Sequence, residues 1–407
     1  MRFLILIAFL LAIDVYAFQA FRTVMQNWTT TTRNTVTVVY WAVPVFAVLL
    51  MLVAEFTHFP QTNKATYTFL RTFVFIAYFS KFAILPFLLI DDLRRGVVFA
   101  VSRLRGSTGE DLGRSRFLSQ LGMALGTIPF TTLTYGIIRN PYRYQLYKKM
   151  VKIDVLPAEL EGLRIVQISD IHSGSFTYKE PVLNAIDMIN KANADLIFFT
   201  GDLVNNRADE MDNFIEVFDK VRAKYGVYSI FGNHDYGDYV EWESKEAKQA
   251  NREKLKETHK ALGWDLLLNE NRMIDINGQS IAIIGVENYS ALARFPKYGD
   301  LNKSYQGTEN ARLKILLSHD PTHWEAQVTN AYPDIALTLS GHTHGFQFGI
   351  EIPGFKWSPA QYVYKEWAGL YQQGKQFLYV NRGLGFLGYP GRVGILPEVT
   401  LLELRKA

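Results

Sequence analysis

The chain has 407 residues, a formal net charge of +4 and no cysteine. This length allows two or three domains, and the small net charge gives no reason to expect a nucleic-acid partner. The lack of cysteine excludes disulfides, thiolate nucleophiles and cysteine-ligated zinc. Most long apolar runs lie between residue 1 and about residue 140. The remainder resembles an ordinary soluble domain of about 250 residues, which is large enough to bury a full core.

The N-terminal third contains four apolar stretches, at 3–21, 36–56, 69–90 and 117–138. A membrane-spanning helix needs roughly 20 apolar residues, so we predict an α-helical transmembrane region over 1–140 with three or four spans. The fourth stretch is the least apolar. The first stretch has the alternative of being a cleaved signal sequence, but three further apolar stretches follow it and make this interpretation the less favoured one. A basic juxtamembrane linker is predicted at 141–160.

Two ionisable residues, Asp14 and Lys81, fall near the middle of their apolar stretches. Charged groups at that depth are costly unless they are paired or face water. We therefore expect a structural ion pair within the helical region. The alternative is a path for an ion or a substrate.

Basic residues on both sides of the fourth stretch bear on the membrane topology. The segment 91–116, predicted as a loop, and the segment 139–152 each carry several arginines or lysines. Four spans would place the two clusters on opposite sides of the membrane, which the positive-inside rule disfavours. Three spans, with 117–138 re-entrant or interfacial, would place both in the cytoplasm. We expect a multi-pass membrane protein with a cytoplasmic C-terminal domain, and the alternative is that the second cluster binds anionic headgroups.

From about residue 150, short apolar runs of strand type alternate with helical patterns. Strands are predicted at 163–169, 195–200 and 227–231, with helices at 180–193 and 213–225 between them. This alternation indicates βαβ units and a parallel sheet. Fewer helices separate the later strands, which are predicted at 280–286, 313–318, 334–340, 376–381 and 399–404. A layered α/β sandwich with two sheets fits this order better than one doubly wound sheet. The charged segment 241–263 predicts a solvated surface helix.

Polar side chains follow five of the predicted strands at the point where each strand ends. They are Asp170, His172, Asp202, Asn233, His234, Asp235, His319, His342 and His344. Catalytic groups and ligands of α/β sheets collect at the carboxyl ends of strands. Residues i and i+2 of an extended chain project to the same side, so we expect Asp170 with His172, and His342 with His344, to aim at common points.

The number of candidate ligands indicates more than one metal ion. Each short motif alone is more often a turn than a site, but five of them at strand ends form a joint signal. Four histidines, two aspartates and one asparagine are too many for one tetrahedral zinc ion. Mixed nitrogen and oxygen ligands, with a carboxylate able to bridge, suit two divalent ions such as Mn, Fe or Zn. Two such ions about 3.5–4 Å apart can supply a bound hydroxide as nucleophile and neutralise phosphoryl charge.

The segments ISDIHSG, FTGDLVN, GNHDY, LSHDP and LSGHTHG resemble, in order, the five signature blocks of the calcineurin-like metallophosphoesterases. The resemblance covers about residues 160–405 and implies a four-layer α/β/β/α sandwich over 161–407 with a dinuclear centre. It implies that one metal is bound by Asp170, His172 and His344. The other would be bound by Asn233, His319 and His342, with Asp202 as the bridge.

The same resemblance assigns roles near the substrate. It implies that His234 contacts the scissile phosphate and protonates the leaving oxygen, with Asp235 orienting the ring. An imidazolium in that place would both stabilise charge and supply a proton. Asn205 departs from the family pattern, because many members have a second aspartate there.

Three other features are weighed against the predicted site. The segment GLGFLG at 383–388 matches a dinucleotide fingerprint, but it opens no helix, and we predict a turn-rich loop. The long insertion 287–310 is predicted to be either a lid over the substrate or a disordered surface loop. His259 and His323 are expected to be surface or helix residues.

Together these features predict a membrane-anchored phosphohydrolase that cleaves a phosphoester or pyrophosphate bond. The anchor favours a phosphorylated substrate in or near the bilayer, and hence a lipid-linked one; this rests on analogy. The alternative is a catalytically silent membrane sensor or scaffold that binds a phosphorylated ligand. The intact ligand set, including His234, favours the enzyme. Contacts with membrane lipids are expected, nucleic acid is not, and the sequence leaves the oligomeric state open.

Overall fold

A computed structural model of the protein describes residues 2–105 and 112–407. The chain divides into two compact units, Met1–Ile137 and Ile138–Ala407. The first unit is helical, and the second carries the sheets. The predicted class, an α/β sandwich preceded by apolar helices, is thereby confirmed.

The helices of the first unit are α1 (Arg2–Val24), α2 (Thr30–Phe56), the short α3 (Phe59–Thr62), α4 (Lys64–Leu104) and α5 (Arg116–Ile138). All but α3 are long and apolar enough to cross a membrane. Helix α4 has 41 residues and is therefore about 60 Å long, twice the thickness of the hydrocarbon layer. Residues 91–104, predicted as part of a loop, are helical because α4 continues beyond its apolar stretch.

Asp14 and Lys81 form the predicted ion pair between α1 and α4. Lys81 Nζ donates to Asp14 Oδ1, and the hydroxyl of Tyr78 donates to Asp14 Oδ2 at 2.7 Å. The hydroxyl of Tyr40 donates to the backbone oxygen of Asp14 at 2.7 Å. The Lys81 ammonium also lies 4.6 Å and 4.7 Å from the ring centroids of Tyr40 and Tyr78. All four residues are buried, so the two charges are matched within the helical unit.

The second unit contains two six-stranded sheets. The first has the spatial order β1 (Gln145–Ile153), β14 (Glu398–Lys406), β2 (Arg164–Ile168), β3 (Leu196–Phe199), β4 (Val227–Ser229) and β5 (Asp265–Leu266). The second has the order β12 (Gly369–Gln373), β13 (Gln376–Val380), β9 (Leu337–Ser340), β8 (Leu313–Leu317), β7 (Gln279–Gly285) and β6 (Glu270–Ile276). Strands β2 to β5 are parallel, as are β13, β9, β8 and β7. A separate hairpin joins β10 (Ile350–Ile352) to β11 (Phe355–Trp357).

Helices cover the outer face of each sheet and complete four layers. They are α6 (Lys179–Lys191), α7 (Ile215–Phe218), α8 (Lys245–Ala261), α9 (Leu301–Tyr305) and α10 (Thr329–Ala331). Helix α6 buries Val182, Ala185, Ile186 and Ile189, the spacing of one helical face. One apolar cluster lies between the two sheets, and each sheet has one further cluster between it and its helices. Since parallel strands covered on both faces carry their polar groups at their ends, the site forms at the strand ends.

Two sequence expectations for this unit need correction. Helix α7 is much shorter than the predicted 213–225, because the backbone N–H groups of Arg222 and Tyr225 donate to Asn190 Oδ1 and to the Asp195 carbonyl. Strand β1 lies within the predicted linker 141–160 and pairs with β14 along its whole length. Its lysines, which obscured the strand pattern, suit an edge strand. His259 and His323 are helical, as one of the two expected alternatives had it, and both are fully buried.

Candidate metal centre

Six of the predicted residues gather into two groups where the strands end. The ligand atoms of Asp170, His172 and His344 all lie within 4.8 Å of one another, and so do those of Asp202, His319 and His342. We call these the first and the second group. Asp202 Oδ2 lies 3.1 Å from His319 Nε2 in its own group and 3.6 Å from His172 Nε2 in the other. One carboxylate oxygen is therefore placed between the two groups, where a bridging ligand would be needed.

The backbone of the site differs from the expected extended conformation. Asp170, His172, His342 and His344 have φ values of 51°, 48°, 70° and 50°, in the left-handed region that non-glycine residues rarely adopt. The expectation of extended i and i+2 pairs was wrong because each strand ends before its polar residues and the chain turns. Asp170 and His172 nevertheless share one group, as expected, and His342 and His344 lie in different groups, as the family resemblance implied. Such strain is usually found at functional sites.

Two glycines let the carboxylates approach the backbone closely. A Cβ atom at Gly232 would lie 2.3 Å from Asp202 Oδ1, and one at Gly341 would lie 2.2 Å from Asp170 Oδ2. Any side chain at these positions would push a carboxylate out of its place. Hydrogen bonds from the backbone hold the two carboxylates in these positions. The N–H group of His234 donates to Asp202 Oδ1 at 2.8 Å, and that of His342 donates to Asp170 Oδ1 at 3.0 Å.

Hydrogen bonds behind two of the rings, those of His319 and His342, orient one nitrogen of each towards the site. His319 Nδ1 lies 2.7 Å from the Thr200 carbonyl oxygen, so Nδ1 carries a proton and Nε2 faces the site. Burial opposes protonation of this ring, but Asp202 raises its pKa to about 10, so a metal ion at Nε2 has to displace a proton. His342 Nε2 lies 3.0 Å from the Tyr364 hydroxyl and 3.4 Å from Asp320 Oδ2, which leaves its Nδ1. Burial lowers the pKa of His172 to about 3 and that of His342 to about 4. Both rings are therefore neutral, as ligands must be.

The two carboxylates of the centre are held in the charged form. Burial opposes ionisation of Asp170, but the charge and hydrogen bond of His344 outweigh it and lower the pKa of this carboxyl. Burial likewise opposes ionisation of Asp202, and the charges of His319 and His234 hold its pKa well below the usual range. Two buried anions that attract several imidazoles form a site of strongly negative potential, which suits divalent cations.

Unpartnered polar atoms support the same interpretation. Asn233 Nδ2 donates to the Tyr239 hydroxyl at 2.9 Å, while its buried Oδ1 has no hydrogen-bond partner among the described residues. His319 Nε2 forms no hydrogen bond within that part of the chain either, although Asp202 Oδ2 lies only 3.1 Å from it. A buried polar atom without a partner is costly, and a metal ion would satisfy both. The donor set of imidazole nitrogens, carboxylates and one amide oxygen fits two such ions.

His234 and Asp235 have different partners from those expected. His234 Nδ1 lies 2.7 Å from the Asn205 carbonyl oxygen, so the ring is oriented by that carbonyl and its Nε2 is left for a substrate. Asp235 is fully buried and accepts the backbone N–H groups of Asp202, Leu203, Val204 and Gly232. The predicted orienting role of Asp235 is therefore replaced by a role in holding the loop after β3. His234 and Asp235 are adjacent in a tight turn and point in different directions, so their side chains have separate partners.

Several residues next to the site were missed by sequence reasoning. Asp320 follows His319 directly within LSHDP, and this adjacency was a usable signal. It is buried and accepts from the hydroxyl of Thr322 at 2.7 Å. Tyr364 lies far from the motifs in sequence, whereas Tyr239 follows the segment GNHDY by three residues; neither belongs to a motif, so neither gave a signal. Each touches a candidate ligand, His342 or Asn233, through its hydroxyl.

The insertion 287–310 packs at the edge of the site. The ring of Phe295 lies 4.6 Å from the ring of His342, and Arg294 donates to the Tyr364 hydroxyl at 3.1 Å. The segment also contains α9. These contacts favour the lid over the disordered loop that was its alternative. The glycine-rich segment 383–388 is a loop, as predicted, and Gly385 donates its backbone N–H to the Asp170 carbonyl at 2.8 Å.

Comparisons with known proteins agree with both units. A family model described as calcineurin-like phosphoesterase matches residues 163–346, and one described as probable calcineurin-like phosphoesterase, transmembrane domain, matches residues 1–141. The chain is 28% identical over 310 residues to a transmembrane protein with metallophosphoesterase domain from Danio rerio, covering 74% of this chain and 67% of that protein. It is 30% identical over 305 residues to the uncharacterized metallophosphoesterase YkuE of Bacillus subtilis, covering 72% of this chain and 98% of that protein. Among solved structures, phosphopantetheinyl hydrolase from Mycobacterium tuberculosis aligns with a TM-score of 0.32 at 14% identity, over 49% of this chain and 89% of that one.

Proposed function

The chain belongs to the calcineurin-like metallophosphoesterase family and is a membrane protein with a hydrolase domain, and from this premise we propose that it is a dinuclear phosphohydrolase. The observation that carries the proposal is the position of Asp202 Oδ2, within 3.6 Å of His172 in the first group and 3.1 Å of His319 in the second. When bound, two divalent ions of Mn, Fe or Zn type supply a hydroxide nucleophile and neutralise phosphoryl charge.

The two groups divide the ligands between the ions. Asp170, His172 and His344 would hold one ion. His319, His342 and the unpartnered amide oxygen of Asn233 would hold the other. Asp202 would bridge. The backbone N–H groups on Asp170 and Asp202 fix both carboxylates before an ion binds, so little reorganisation is needed.

His234 is proposed as the proton donor to the leaving group. Its Nδ1–H donates to the Asn205 carbonyl, which fixes the ring and directs Nε2 away from the protein backbone. The ring centroid lies 5.0 Å from that of His172, so Nε2 is close to where a phosphoryl group between the ions would lie. The ring is only half-buried, as a group that meets substrate must be. An imidazolium there protonates the departing oxygen and stabilises its charge.

We propose that the substrate is a phosphorylated, lipid-linked molecule and that the hydrolase domain faces the cytoplasm. The substrate proposal rests on the membrane helices of this chain and its relatives. The orientation rests on the basic residues at 139–152 and the positive-inside rule. The alternative, a silent sensor or scaffold that binds a phosphorylated ligand, has no use for a half-exposed His234 beside the metal groups.

The decisive experiment measures hydrolysis by the purified full-length protein. With Mn²⁺ and an aryl phosphomonoester or phosphodiester, we expect release of phenolate by the wild type. Asp202→Asn should reduce the rate by about 100-fold or more, because the bridging charge is lost. Asp187→Asn is the matched control, since Asp187 is exposed and pairs with the exposed Lys191 on α6. Lack of turnover with both metals bound would establish the scaffold instead.

A further inference from the structure

The hairpin β10–β11 turns its polar face towards the protein and its apolar face outwards, the reverse of the usual arrangement in a soluble protein. Alternate residues of a strand point to opposite faces, and Ile350 pairs with Trp357, Glu351 with Lys356, and Ile352 with Phe355. Glu351 faces the protein, where it accepts from Arg382 Nη2 at 2.6 Å. Lys356 Nζ donates to the Ala368 carbonyl.

The opposite face of the hairpin is apolar and points outwards. Ile350, Ile352 and Phe355 are 48%, 58% and 52% exposed. Solvated strands normally place apolar residues inward, and an outward apolar face marks a site of contact with another apolar phase. The side chain of Trp357 lies on this face, and its Nε1 donates to the exposed Tyr362 hydroxyl at 3.4 Å.

This face continues to the edge of the metal centre. We call the exposed set the apolar rim; it comprises Phe346, Ile350, Ile352, Phe355, Tyr362 and Val363. Phe346 follows the candidate ligand His344 by two residues. Val363 precedes Tyr364, whose hydroxyl contacts His342. The rim therefore borders both metal groups.

The base of the hairpin contacts the first residues of the second unit. Helix α5 ends at Ile138. Two residues later Asn140 is buried, and its Nδ2 donates to the Arg392 carbonyl at 2.8 Å. The next residue, Val393, pairs with the backbone of Gly349, directly before Ile350. The residues that follow α5 are therefore held at the base of the hairpin within the second unit.

Basic residues accompany the rim and match an anionic surface. Arg143, Lys148 and Lys149 are exposed. Strand β1, which carries both lysines, contacts the hairpin where the Tyr147 hydroxyl donates to Glu351 Oε2 at 3.3 Å. Tryptophan and tyrosine beside aliphatic residues and lysines are the composition of a membrane interface, where aromatic rings sit at headgroup depth and cations meet anionic lipids.

We propose that the apolar rim inserts into the headgroup region of the bilayer in which the helices are embedded. The rim then lies against lipid rather than against a second copy of the chain, and the basic residues contact anionic headgroups. One consequence is that the metal centre opens at headgroup depth. The inference concerns docking alone and stands whether or not the proposed hydrolysis is correct.

The test uses single-cysteine variants of the full-length protein, which has no cysteine of its own. Ile352→Cys and Lys260→Cys are labelled with the fluorophore NBD in nanodiscs made of equal parts of phosphatidylcholine and phosphatidylglycerol. Lys260 is the control because its side chain is 81% exposed on α8. Lipids that carry a doxyl quencher should quench the label at 352 about twofold or more beyond that at 260, with a blue shift at 352 only.

Two results would overturn the proposal. Equal and weak quenching at both positions would mean that the rim is in water. Shielding of the label at 352 that depends on protein concentration and not on doxyl lipid would assign the rim to a second copy. Monodisperse elution of each variant in detergent, measured before reconstitution in nanodiscs, reports folding independently of lipid contact and of hydrolysis.

Discussion

The molecule contains two buried clusters of polar groups, and their hydrogen bonds differ. In the helical unit, both carboxylate oxygens of Asp14 have a donor, from Lys81 and from Tyr78. In the metal centre, Asn233 Oδ1 and His319 Nε2 lack a hydrogen-bond partner within the described residues. Both clusters are equally removed from water, so burial does not separate them. The polar groups of the Asp14 cluster satisfy one another, whereas those of the metal centre need a bound ion to be satisfied.

The comparison agrees with the cost of buried charge. A buried ion pair contributes little net stability when it is intact, but loss of one partner leaves an uncompensated charge. Metal ligands have the opposite dependence, because their stabilisation comes from the bound ion. Substitutions in the first cluster should therefore affect folding, and those in the second should affect metal content and catalysis.

The largest effect is expected from His342→Ala. His342 belongs to the second group only, while Asp170, His172 and His344 remain to hold the other ion. Metal analysis should show loss of mainly one of two ions per chain, and hydrolysis should fall about 100-fold or more because both ions act on the phosphoryl group. His58→Ala, at an exposed position, is the matched control and should retain both ions. Equal loss of both ions from the His342 variant would contradict the division into two groups.

The candidate site was more predictable from the sequence than its surroundings. Asp170, Asp202 and His319 each follow a buried apolar run, and parallel strands bring their carboxyl ends together whatever the side chains between them. The left-handed backbone at His342 and the change of partner for Asp235 could not be predicted in this way. Both depend on where a strand ends to within one residue, and this is the least certain feature of a sequence pattern.

Strand β1 and the hairpin β10–β11 could not be predicted from the sequence either. Strand β1 carries Lys148 and Lys149 within a basic segment, and only its pairing with β14 reveals it as a strand. The hairpin β10–β11 has three residues in each strand, too short for a period to be recognised. Tertiary contacts, such as that of Glu351 with Arg382, decide which of its faces points inward.

The next effect in size concerns the ion pair of the helical unit. Asp14→Lys or Lys81→Asp alone should destabilise the protein by about 3–5 kcal/mol, because each leaves like charges buried together. The double variant should restore the pair and with it the yield of monodisperse protein in detergent and the melting temperature. Hydrolysis per folded molecule should be unchanged in every case. The exposed pair Asp187 and Lys191 provides the control, since its reversal should have little effect.

Failure of the double variant to recover yield would refute the structural role of the pair. A loss of hydrolysis in well-folded Asp14 or Lys81 variants would instead favour the ion or substrate path. Either result would contradict the conclusion that the cluster of Asp14 and Lys81 acts on folding and the metal centre on catalysis.

The smallest effect tests whether an unpartnered atom alone marks a site. His259 is fully buried, its Nδ1 lies 2.9 Å from Ser229 Oγ, and its Nε2 has no hydrogen-bond partner among the residues described. Aromatic rings surround it, those of Phe199, Phe231 and Trp264, with centroids at 6.0, 5.5 and 5.9 Å. Because the packed neighbours are rings rather than carboxylates, we expect His259 to act through stability and not through metal binding.

Burial lowers the pKa of His259 from 6.5 to about 3. Between these values the unfolded chain binds a proton that the folded protein does not bind, so the free energy of unfolding falls as the pH falls below about 6.5. The loss is at most about 1.4 kcal/mol per pH unit. His259→Phe should therefore show a smaller drop in melting temperature between pH 7 and pH 5 than the wild type, whereas His58→Phe should match the wild type. Equal drops in all three proteins would show that His259 binds a proton in the folded protein as readily as in the unfolded chain, which would contradict a neutral ring that acts through packing alone.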